Sequence, residues 1–417
     1  MIQDRKRYDN KLILKMKKTV LLFSCLLMTS MLWAQSNIQW RGTDRTGIYK
    51  EAGLLKSWPE KGPEMLWSFE GLGQGHSSVT IDSDKLYLSG MVDSVGYIYV
   101  FDMNGKLLNK AKYGPEWSRD YYGSRGSVMI NNGKLYVISG MCDIYCYDQN
   151  SLKLIWKKNF MADFGGTNIQ WGVNESPLII GEKLIATPGG PEHNIVALNK
   201  NTGELIWSSP AKGDQSAYCS PLYISDQQTP LIVTYTANNI VGLDASNGKL
   251  LWSHEAKNRH SIHANTPVYS NNMILCTSGD GLGSTMFRLK DGGKNVEVAW
   301  STAESDNRMG AMVKVGDYAY GLGHSKRFLF CLDWNTGELK YKDSGYSNGC
   351  IIANDGMLYC YTEKGEMILA KATPEKFDIV SKFPVTLGTE QHWAHPVLYK
   401  GVMYVRHGNA VMAYSVK

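Results

Sequence analysis

The sequence lacks any stretch of sustained helical periodicity. Over its 417 residues, apolar and polar side chains alternate in short runs, which is the two-residue period of a half-buried strand. This absence argues against a helical layer, and the 42 glycines and 24 tyrosines favour β structure instead. The sequence therefore predicts an all-β protein.

A strong charge of either sign is also missing. The chain has 44 Lys and Arg against 39 Asp and Glu, and its cations are scattered beyond the N-terminal run. Nucleic-acid binding requires clustered cations, so we expect no nucleic-acid partner. The HExxH motif is absent. Glycine-rich stretches at Gly189 and Gly279 lie between strands, not ahead of a helix, which argues against a dinucleotide site.

Cysteines are few, and Cys142 and Cys146 are the only close pair. Beyond Cys25, seven remain between Cys142 and Cys360, and no two are adjacent. An odd number spread this evenly does not predict a disulfide framework. Most lie in apolar strand patterns, so we expect small buried hydrophobic side chains.

Only the N-terminus has a long apolar run. "KMKKTVLLFSCLLMTSMLWAQSN" has the basic region, apolar core and small residue of a secretory signal. We expect residues 1–34 to be a signal peptide, with translation starting at Met16 and cleavage after Ala34. Acylation of Cys25 is an alternative. No other run predicts a transmembrane segment, so we expect a periplasmic or secreted, monomeric protein.

A hairpin unit recurs along the chain, with a polar turn between two short strands and an aromatic residue closing the second. Its copies are "YCYDQNSLKLIW", "VALNKNTGELIW", "VGLDASNGKLLW" and "FCLDWNTGELKY". The first three end at Trp156, Trp207 and Trp252, so the repeat is 51 and then 45 residues long (207 − 156 and 252 − 207). This period suits one four-stranded propeller blade.

The strand that precedes each hairpin can be counted eight times, and the eighth unit ends at Lys417 on its third strand. "EMLWSFEG" from Glu64 has the missing fourth-strand pattern. We therefore predict an eight-bladed β-propeller of four-stranded blades over residues 65–417, closed by an N-terminal strand that completes the last blade. Residues 35–64 should form an extension packed on the propeller, with its apolar residues on the propeller wall: Trp40, Leu54, Leu55 and Trp58.

The repeated "LDxxTGxLxW" pattern resembles the tryptophan-docking repeat of PQQ-like β-propellers. This group includes the quinoprotein alcohol dehydrogenases and the outer-membrane assembly lipoprotein BamB. The segment from Gln39 to Trp67 also resembles the opening of many secreted bacterial members. The resemblance implies the fold more specifically than an activity, because one fold can support many functions.

In such a propeller, the loop that leads into the innermost strand of each blade lies on the same face as the loop between its second and third strands. We call the former the inner loops and this side the channel face. Eight of the nine histidines fall there: His76, His260, His263, His392 and His395 in inner loops, and His193, His324 and His407 in or beside the other loops. The opposite face has short turns, so we expect function on the channel face.

The candidate ligand-binding residues share this face and combine aromatic rings with polar groups. They are His76, Tyr122, Arg125, Trp171, Asn174, Glu175, Tyr218, His260, His263, Asn265, Arg308, Asn348, His392, Trp393 and His395. Such a set suits a polar small molecule, for example an organic acid or a glycan. The alternative is that these side chains fill the channel and satisfy one another.

A bound quinone is not expected. The resemblance would bring PQQ together with an adjacent cysteine pair and a calcium ligand set, and this chain has no adjacent cysteines. Asn174 and Glu175 could supply only part of a calcium set. A divalent transition metal is another alternative, because "HSIH" and "HWAH" place two imidazoles three residues apart, at His260, His263, His392 and His395. Those rings should point apart, so one metal would take a ring from each loop.

The sequence therefore predicts a ligand- or protein-binding module that acts without a quinone. An enzyme that acts on a glycan or a similar polar substrate is the alternative. An enzyme should have a deep pocket with a histidine near a carboxylate or an arginine. A protein scaffold should keep its channel filled and use exposed loops.

Overall fold

The computed structural model describes residues 38–324, 327–346 and 348–417. Its strands form eight four-stranded antiparallel blades, which follow one another in chain order around a central channel. The prediction of an eight-bladed β-propeller is confirmed. The predicted signal peptide and Cys25 lie outside the described residues.

The first blade shows how each blade is built. From the channel outwards it contains β3 (Thr80–Asp82), β4 (Lys85–Val92), β5 (Val95–Asp102) and β6 (Leu107–Pro115). The two middle strands are mostly buried on both faces, because neighbouring blades cover both sides. The outermost strand is mostly exposed.

The next six blades repeat this order. Their strands, from the channel outwards, are β7 (Met129–Asn131), β8 (Lys134–Ile138), β9 (Asp143–Asp148) and β10 (Leu154–Asn159); β11 (Leu178–Ile180), β12 (Lys183–Ala186), β13 (Ile195–Asn199) and β14 (Leu205–Ser209); β15 (Leu222–Ile224), β16 (Leu231–Tyr235), β17 (Asn239–Asp244) and β18 (Leu250–Glu255); β19 (Val268–Ser270), β20 (Met273–Ser278), β21 (Gly283–Lys290) and β22 (Asn295–Thr302); β23 (Met312–Val315), β24 (Tyr318–Leu322), β25 (Phe328–Asp333) and β26 (Leu339–Ser344); β27 (Gly349–Asn354), β28 (Met357–Thr362), β29 (Glu366–Lys371) and β30 (Asp378–Pro384).

The eighth blade joins the two ends of the described chain. It contains β31 (Val397–Tyr399), β32 (Val402–His407) and β33 (Ala410–Ser415), and its outermost strand is β2 (Met65–Glu70). β2 pairs antiparallel with β33, from Met65 opposite Tyr414 to Glu70 opposite Ala410. This pairing leaves no open sheet edge between the first and last blades.

The repeated tryptophan packs each blade against the next. Trp156 of blade two covers the turn of blade three, where Gly203 has a φ of +73° and a Cβ would lie 2.8 Å from the indole. The indole nitrogen donates a hydrogen bond of 3.0 Å to the Lys200 carbonyl in that turn. Only glycine allows both the backbone conformation and the close approach. The same contact joins Trp67 to Gly105, Trp207 to Gly248 and Trp300 to Gly337.

The N-terminal segment, residues 38–49, lies along the channel. Its strand β1 (Ile48–Tyr49) pairs in parallel with the innermost strand of blade seven. Arg41 donates to the Met312 carbonyl of blade six at 2.6 Å, and Arg45 donates to the Ser176 carbonyl of blade three at 2.9 Å. Both arginines are almost fully buried. The segment thus contacts the inner strands of several blades at once.

Residues 50–64 pack against blades seven and eight. Leu54 and Trp58 are buried in the same hydrophobic cluster, and the Trp58 ring meets Phe383 edge to face, with centroids 5.4 Å apart. The Leu55 amide donates to the Val416 carbonyl at 2.8 Å, whereas its side chain is exposed. The extension therefore reaches β2 along the surface of these blades, anchored by the buried side chains of Leu54 and Trp58.

Helical structure is small in the described residues, comprising α1 (Phe160–Phe164) and a single 3-10 turn at Asp291–Gly293. None of the helices described is long and apolar enough to cross a membrane. The cysteines between Cys142 and Cys360 are all buried and unpaired.

Candidate functional site

A ladder of serines holds the inner loops together. The Ser127 hydroxyl accepts a hydrogen bond of 2.9 Å from the Ser78 amide, and the Ser176 hydroxyl accepts one of 3.1 Å from the Ser127 amide. The Ser220 hydroxyl accepts the next, 3.0 Å from the Ser176 amide. Each bond joins one blade to its neighbour at the same level, so the loops converge on the channel axis.

These loops surround a cavity of about 500 Å³ at the channel face. Eight of the predicted site residues line it: His76, Arg125, Trp171, Asn174, Tyr218, Arg308, Trp393 and His395. They come from the inner loops of five blades and from the last inner loop of the chain, which contains two of them. The structure therefore brings together residues that are more than three hundred positions apart.

The N-terminal segment contributes to the base of the cavity. Trp40 lines it and meets the His395 ring edge to face, with centroids 5.1 Å apart. His395 Nε2 lies 3.1 Å from the Gly310 carbonyl. Burial lowers the pKa of His395 to about 3, and the charge of Arg41 adds to the decrease. This imidazole is therefore neutral at physiological pH.

Trp393 forms an aromatic wall. Its ring lies 4.9 Å from the His76 ring and 5.4 Å from the Tyr121 ring, measured between centroids. The indole nitrogen donates a hydrogen bond of 2.8 Å to the Glu363 carboxylate. Glu363 also accepts a bond of 3.1 Å from the Asn348 amide. The wall is therefore held on its far side by a polar network.

Trp171 and Tyr218 form a second aromatic wall. Their ring centroids are 6.5 Å apart, and the Trp171 amide donates to the Tyr218 hydroxyl at 3.2 Å. His260 packs edge to face on Trp171 at 5.9 Å. Tyr218 has a φ of +66°, and the lining residues Tyr121 and Glu390 have φ values of +54° and +66°. Left-handed backbone is uncommon for such residues, and its presence in cavity-lining loops is typical of functional sites.

Two arginines bring positive charge to the cavity. Arg125 donates to the Tyr121 carbonyl at 2.6 Å, and burial lowers its pKa to about 10, so it stays charged. Arg308 forms an ion pair with Asp280. Burial and then Arg125 lower the pKa of His76 well below its ordinary value. His76 is therefore a neutral imidazole beside a cation.

Several predicted residues lie behind the cavity wall instead of lining it. His263 is fully buried, bonded to the Ser278 hydroxyl at 2.8 Å and stacked on Tyr235 at 4.8 Å. Asn265 donates to the Asn307 carbonyl at 2.7 Å and accepts from the Ala311 amide at 2.8 Å. These two side chains satisfy local groups, as the channel-filling alternative requires.

Three further predicted residues lie near the Trp393 wall and do not line the cavity: His392, Asn348 and Tyr122. His392 stacks on His407 with centroids 3.6 Å apart, and its Nδ1 lies 2.5 Å from the Tyr361 hydroxyl. Asn348 holds Glu363, as described above. Tyr122 is exposed and donates to the Glu390 carboxylate at 3.0 Å, while its neighbour Tyr121 lines the cavity. Tyr121 and Tyr122 are adjacent in the chain, but only Tyr121 is among the residues that line the cavity.

Asn174 and Glu175 do not act on the same space. Asn174 lines the cavity, whereas the Glu175 side chain is fully buried and accepts a bond of 3.0 Å from the Thr187 amide. Burial raises the pKa of Glu175 to about 8, so the carboxyl is largely protonated at neutral pH. This pair does not fit the partial calcium set considered from the sequence, because a cation needs oxygen ligands that face one point and these two side chains face different surroundings.

The two histidine pairs also point to different surroundings. His260 packs on Trp171 and His263 on Tyr235, while His392 packs on His407 and His395 on Trp40. Within the described ranges, no group of three or more His, Cys, Asp or Glu side chains is arranged to hold a metal ion.

Sequence reasoning did not select several lining residues. Trp40 belongs to the extension, whose apolar residues all have the same wall-packing pattern. Glu363 lies in the loop between the second and third strands of blade seven, a position on the channel face that the repeat does indicate. Ser127, Ser176 and Ser220 also line the cavity, and their equivalent positions ahead of the inner strands were a usable signal.

The eight blades, the docked tryptophans and the central cavity define a PQQ-like β-propeller. The family model described as outer membrane protein assembly factor BamB matches residues 141–376, which is more than half of the chain. The chain belongs to this family, and the resemblance seen in its repeats is confirmed.

Two quinoprotein ethanol dehydrogenases, from Pseudomonas putida and Pseudomonas aeruginosa, are each 25% identical over 129 residues. The match covers 29% of this chain, and the chain spans only 20% of the length of these relatives. Among solved structures, BamB from Moraxella catarrhalis has a TM-score of 0.61 at 12% identity, covering 85% of this chain and 99% of that one. Quinohemoprotein alcohol dehydrogenase from Comamonas testosteroni has a TM-score of 0.63 at 12% identity, covering 92% and 80%. These structural likenesses show the fold alone.

Proposed function

We propose that this protein binds a polar small molecule, of the sugar or organic-acid class, in the channel cavity. The observation that carries the proposal is the pair of aromatic walls at Trp171 and Trp393, with Arg125 and Arg308 lining the same space. A volume of about 500 Å³ is typical of small-ligand sites. Aromatic faces pack against the C–H groups of a ring, and the polar groups between them orient its hydroxyl or acid groups.

The depth of the site favours a small ligand over a protein partner. The aromatic residues line a recess, and Trp393 is only partly exposed. Trp40 and the rest of residues 38–49 occupy the channel beside it, so the ligand would enter and leave at the channel face. A protein partner would require several exposed anchors. Among the described residues only two large aromatic side chains are exposed, Tyr121 and Tyr122.

The proposal includes binding without a quinone. The chain has no adjacent cysteine pair, and the Glu175 carboxyl faces Thr187 and the charge of Arg45, not the cavity. These observations support a ligand other than PQQ.

The test is a binding screen of the protein, cleaved after Ala34, against neutral sugars, sugar acids and small organic acids. Thermal shift detects binding in the screen, and calorimetry then measures the affinity of each hit. We expect Trp393→Ala and Trp171→Ala each to weaken binding of a hit at least about tenfold, because each removes one aromatic face. Tyr318→Ala is the matched control, because Tyr318 lies at the end of β24 that is away from the channel face. Absence of any hit in all three classes would contradict the proposal.

An enzyme acting on a glycan is the second candidate, and His76 is the observation that favours it. This imidazole is neutral and its ring nitrogens are buried, yet it borders the cavity beside Arg125. A neutral imidazole can accept a proton from a reacting hydroxyl or water. Chromatography of oligosaccharides incubated with the protein tests this candidate. An enzyme would release products that His76→Gln abolishes, whereas a binding module leaves every substrate intact.

A further inference from the structure

Four polar side chains at the junction of blades eight, one and two have unpartnered atoms. Within the described part of the chain these are Nδ1 and Nε2 of His76, Oγ of Ser124, Nε of Arg125 and Nη2 of Arg406. Arg125 is 8% exposed and Arg406 is 1% exposed. Leaving a buried polar atom without a partner is energetically unfavourable, so a cluster of such atoms indicates a missing partner.

The backbone brings these groups together. The His76 amide donates to the Ser124 carbonyl at 2.8 Å, and Gly75 forms a parallel bridge with Ser124. A Cβ on Gly75 would lie 2.2 Å from Ser124 Oγ and 2.4 Å from Arg406 Nη2. The glycine therefore allows both atoms to approach one point beside the His76 loop. His76 and Arg125 line the cavity, and the other two side chains stand behind them.

The cluster has positive charge that no described ion pair neutralises. Arg406 donates to the Gly408 carbonyl at 3.0 Å and to the Ser77 and Ser89 carbonyls. Arg125 has a single partner, the Tyr121 carbonyl. Both guanidinium groups are close enough to lower the pKa of His76.

The carboxyl group that acts most on Arg125 is Glu116, and it does not neutralise the cluster fully. Burial raises the pKa of Glu116 to about 7, so a large fraction is protonated at neutral pH. Glu116 instead accepts bonds from the Gly140 amide at 2.8 Å and the Trp117 amide at 3.2 Å.

We propose that His76 and Arg125, backed by Ser124 and Arg406, form an anion subsite at the edge of the cavity, which takes a carboxylate of the bound ligand. An ionised carboxylate has two oxygens with about four acceptor positions. The two lining side chains offer it an imidazole N–H and the Nε–H of Arg125, and Arg406 adds positive charge behind them. This inference rests on the proposed function and narrows its ligand to sugar acids or organic acids.

The subsite itself can be tested without knowing the complete ligand. Sodium acetate is titrated against sodium chloride of equal ionic strength while thermal unfolding is followed. We expect acetate to raise the Tm of the natural protein by about 1 to 2 °C relative to chloride, because a ligand that binds the folded state stabilises it. The shift should disappear in Arg125→Gln and persist in Arg125→Lys, which retains the charge.

Two further variants keep the test decisive. Arg288→Gln removes an exposed arginine on β21 of blade five, whose ion pair is with Glu297 directly opposite on β22, and should leave the acetate shift unchanged. His76→Phe keeps an aromatic ring against Trp393 but removes both ring nitrogens, so it remains informative if Arg125→Gln does not fold, and it should weaken acetate binding about three- to tenfold. Equal acetate shifts in the natural protein and both site variants, or no shift in any of them, would overturn the subsite.

Glucuronate and glucose then link the subsite to the cavity, because they differ in a carboxylate at one end of the same ring. We expect glucuronate to bind at least about tenfold more tightly, with the preference lost in Arg125→Gln. If acetate binds but no sugar, sugar acid or ring-sized organic acid does, nothing occupies the space between the aromatic walls, so the cavity proposal fails and the subsite stands. If both sugars bind equally and acetate has no effect, the subsite fails and the cavity proposal stands.

Discussion

The indole nitrogen of Trp393 donates a hydrogen bond of 2.8 Å to the carboxylate of Glu363, which belongs to the neighbouring blade. This bond fixes the edge of the indole that points away from His76. The ring is thereby held across the cavity before any ligand arrives, which lowers the entropic cost of binding.

The first prediction concerns this bond. Glu363→Ala should weaken binding of a cavity ligand about threefold to tenfold, because the Trp393 ring loses its fixed orientation. Glu363→Gln should restore most of the affinity, since its amide oxygen can accept the same hydrogen bond. Calorimetry measures both affinities, and unfolding midpoints within about 2 °C of the natural protein would show that the fold is intact. Equal affinity in all three proteins would mean that the bond does not position the ring.

The second prediction concerns ring closure. A chain that begins after Tyr49 loses the channel segment but keeps β2, whereas a chain that begins after Gly71 loses both. The second truncation should unfold at a clearly lower temperature and aggregate, because it exposes the edge of β33. Calorimetry and light scattering compare the two chains. Equal midpoints would show that β2 contributes nothing to closure.

The third prediction concerns the pH dependence of stability. Burial raises the pKa of Glu175 from 4.5 to about 8, so the folded state holds a proton that the unfolded state has released. The stability from this group is fully present below pH 4.5 and is lost as the pH rises through 8. Glu175→Gln mimics the protonated acid. We expect it to match the natural protein at pH 5 and to be roughly 1 to 4 kcal/mol more stable at pH 9.

Urea unfolding at the two pH values provides the measurement. The five histidines with lowered pKa values are present in both proteins, so their effect cancels in the difference. Glu204→Gln, at an exposed turn, is the control and should show no pH-dependent gain. A Glu175→Gln gain that is the same at pH 5 and pH 9 would rule out a buried, protonated carboxyl.

The fourth prediction concerns the quinone. Purified protein supplied with PQQ and calcium should show neither bound quinone absorbance nor dye-linked oxidation of alcohols. The reason is the chemistry of the donors, since Glu175 is held away from the cavity and the chain has no adjacent cysteines. Stoichiometric PQQ retained after gel filtration is the result that would refute this.

The sequence was sufficient to predict the blade count and the channel face, because repeats and closing strands are local patterns. It also placed His76, Arg125, Trp393 and His395 in converging loops, and all four line the cavity. It could not decide which neighbour in a loop faces inward. Asn174 lines the cavity and Glu175 does not, although the two are adjacent. Adjacent loop residues point to opposite sides of the backbone. Contacts between blades, such as the serine ladder, decide which side faces the cavity.

Trp40 was missed for another reason. Its pattern is that of a residue packing on an outer wall, and nothing local distinguishes a wall from the inside of a ring. The strand pairing of Ile48 with Ala353 depends on residues about three hundred positions away. Such a contact cannot be read from neighbouring residues.

The channel segment also constrains the order in which the molecule can be completed. Residues 38–49 are synthesised before every blade, yet Arg41 bonds to Met312, 271 residues later, and Ile48 pairs with Ala353. The centre of the molecule is therefore made first and finished last, because Arg41 and Ile48 have these partners only once blades six and seven exist. Contacts this distant in sequence slow folding. During that interval the central channel of the nascent chain is incomplete, and chaperones that bind partly folded chains have their greatest opportunity to act.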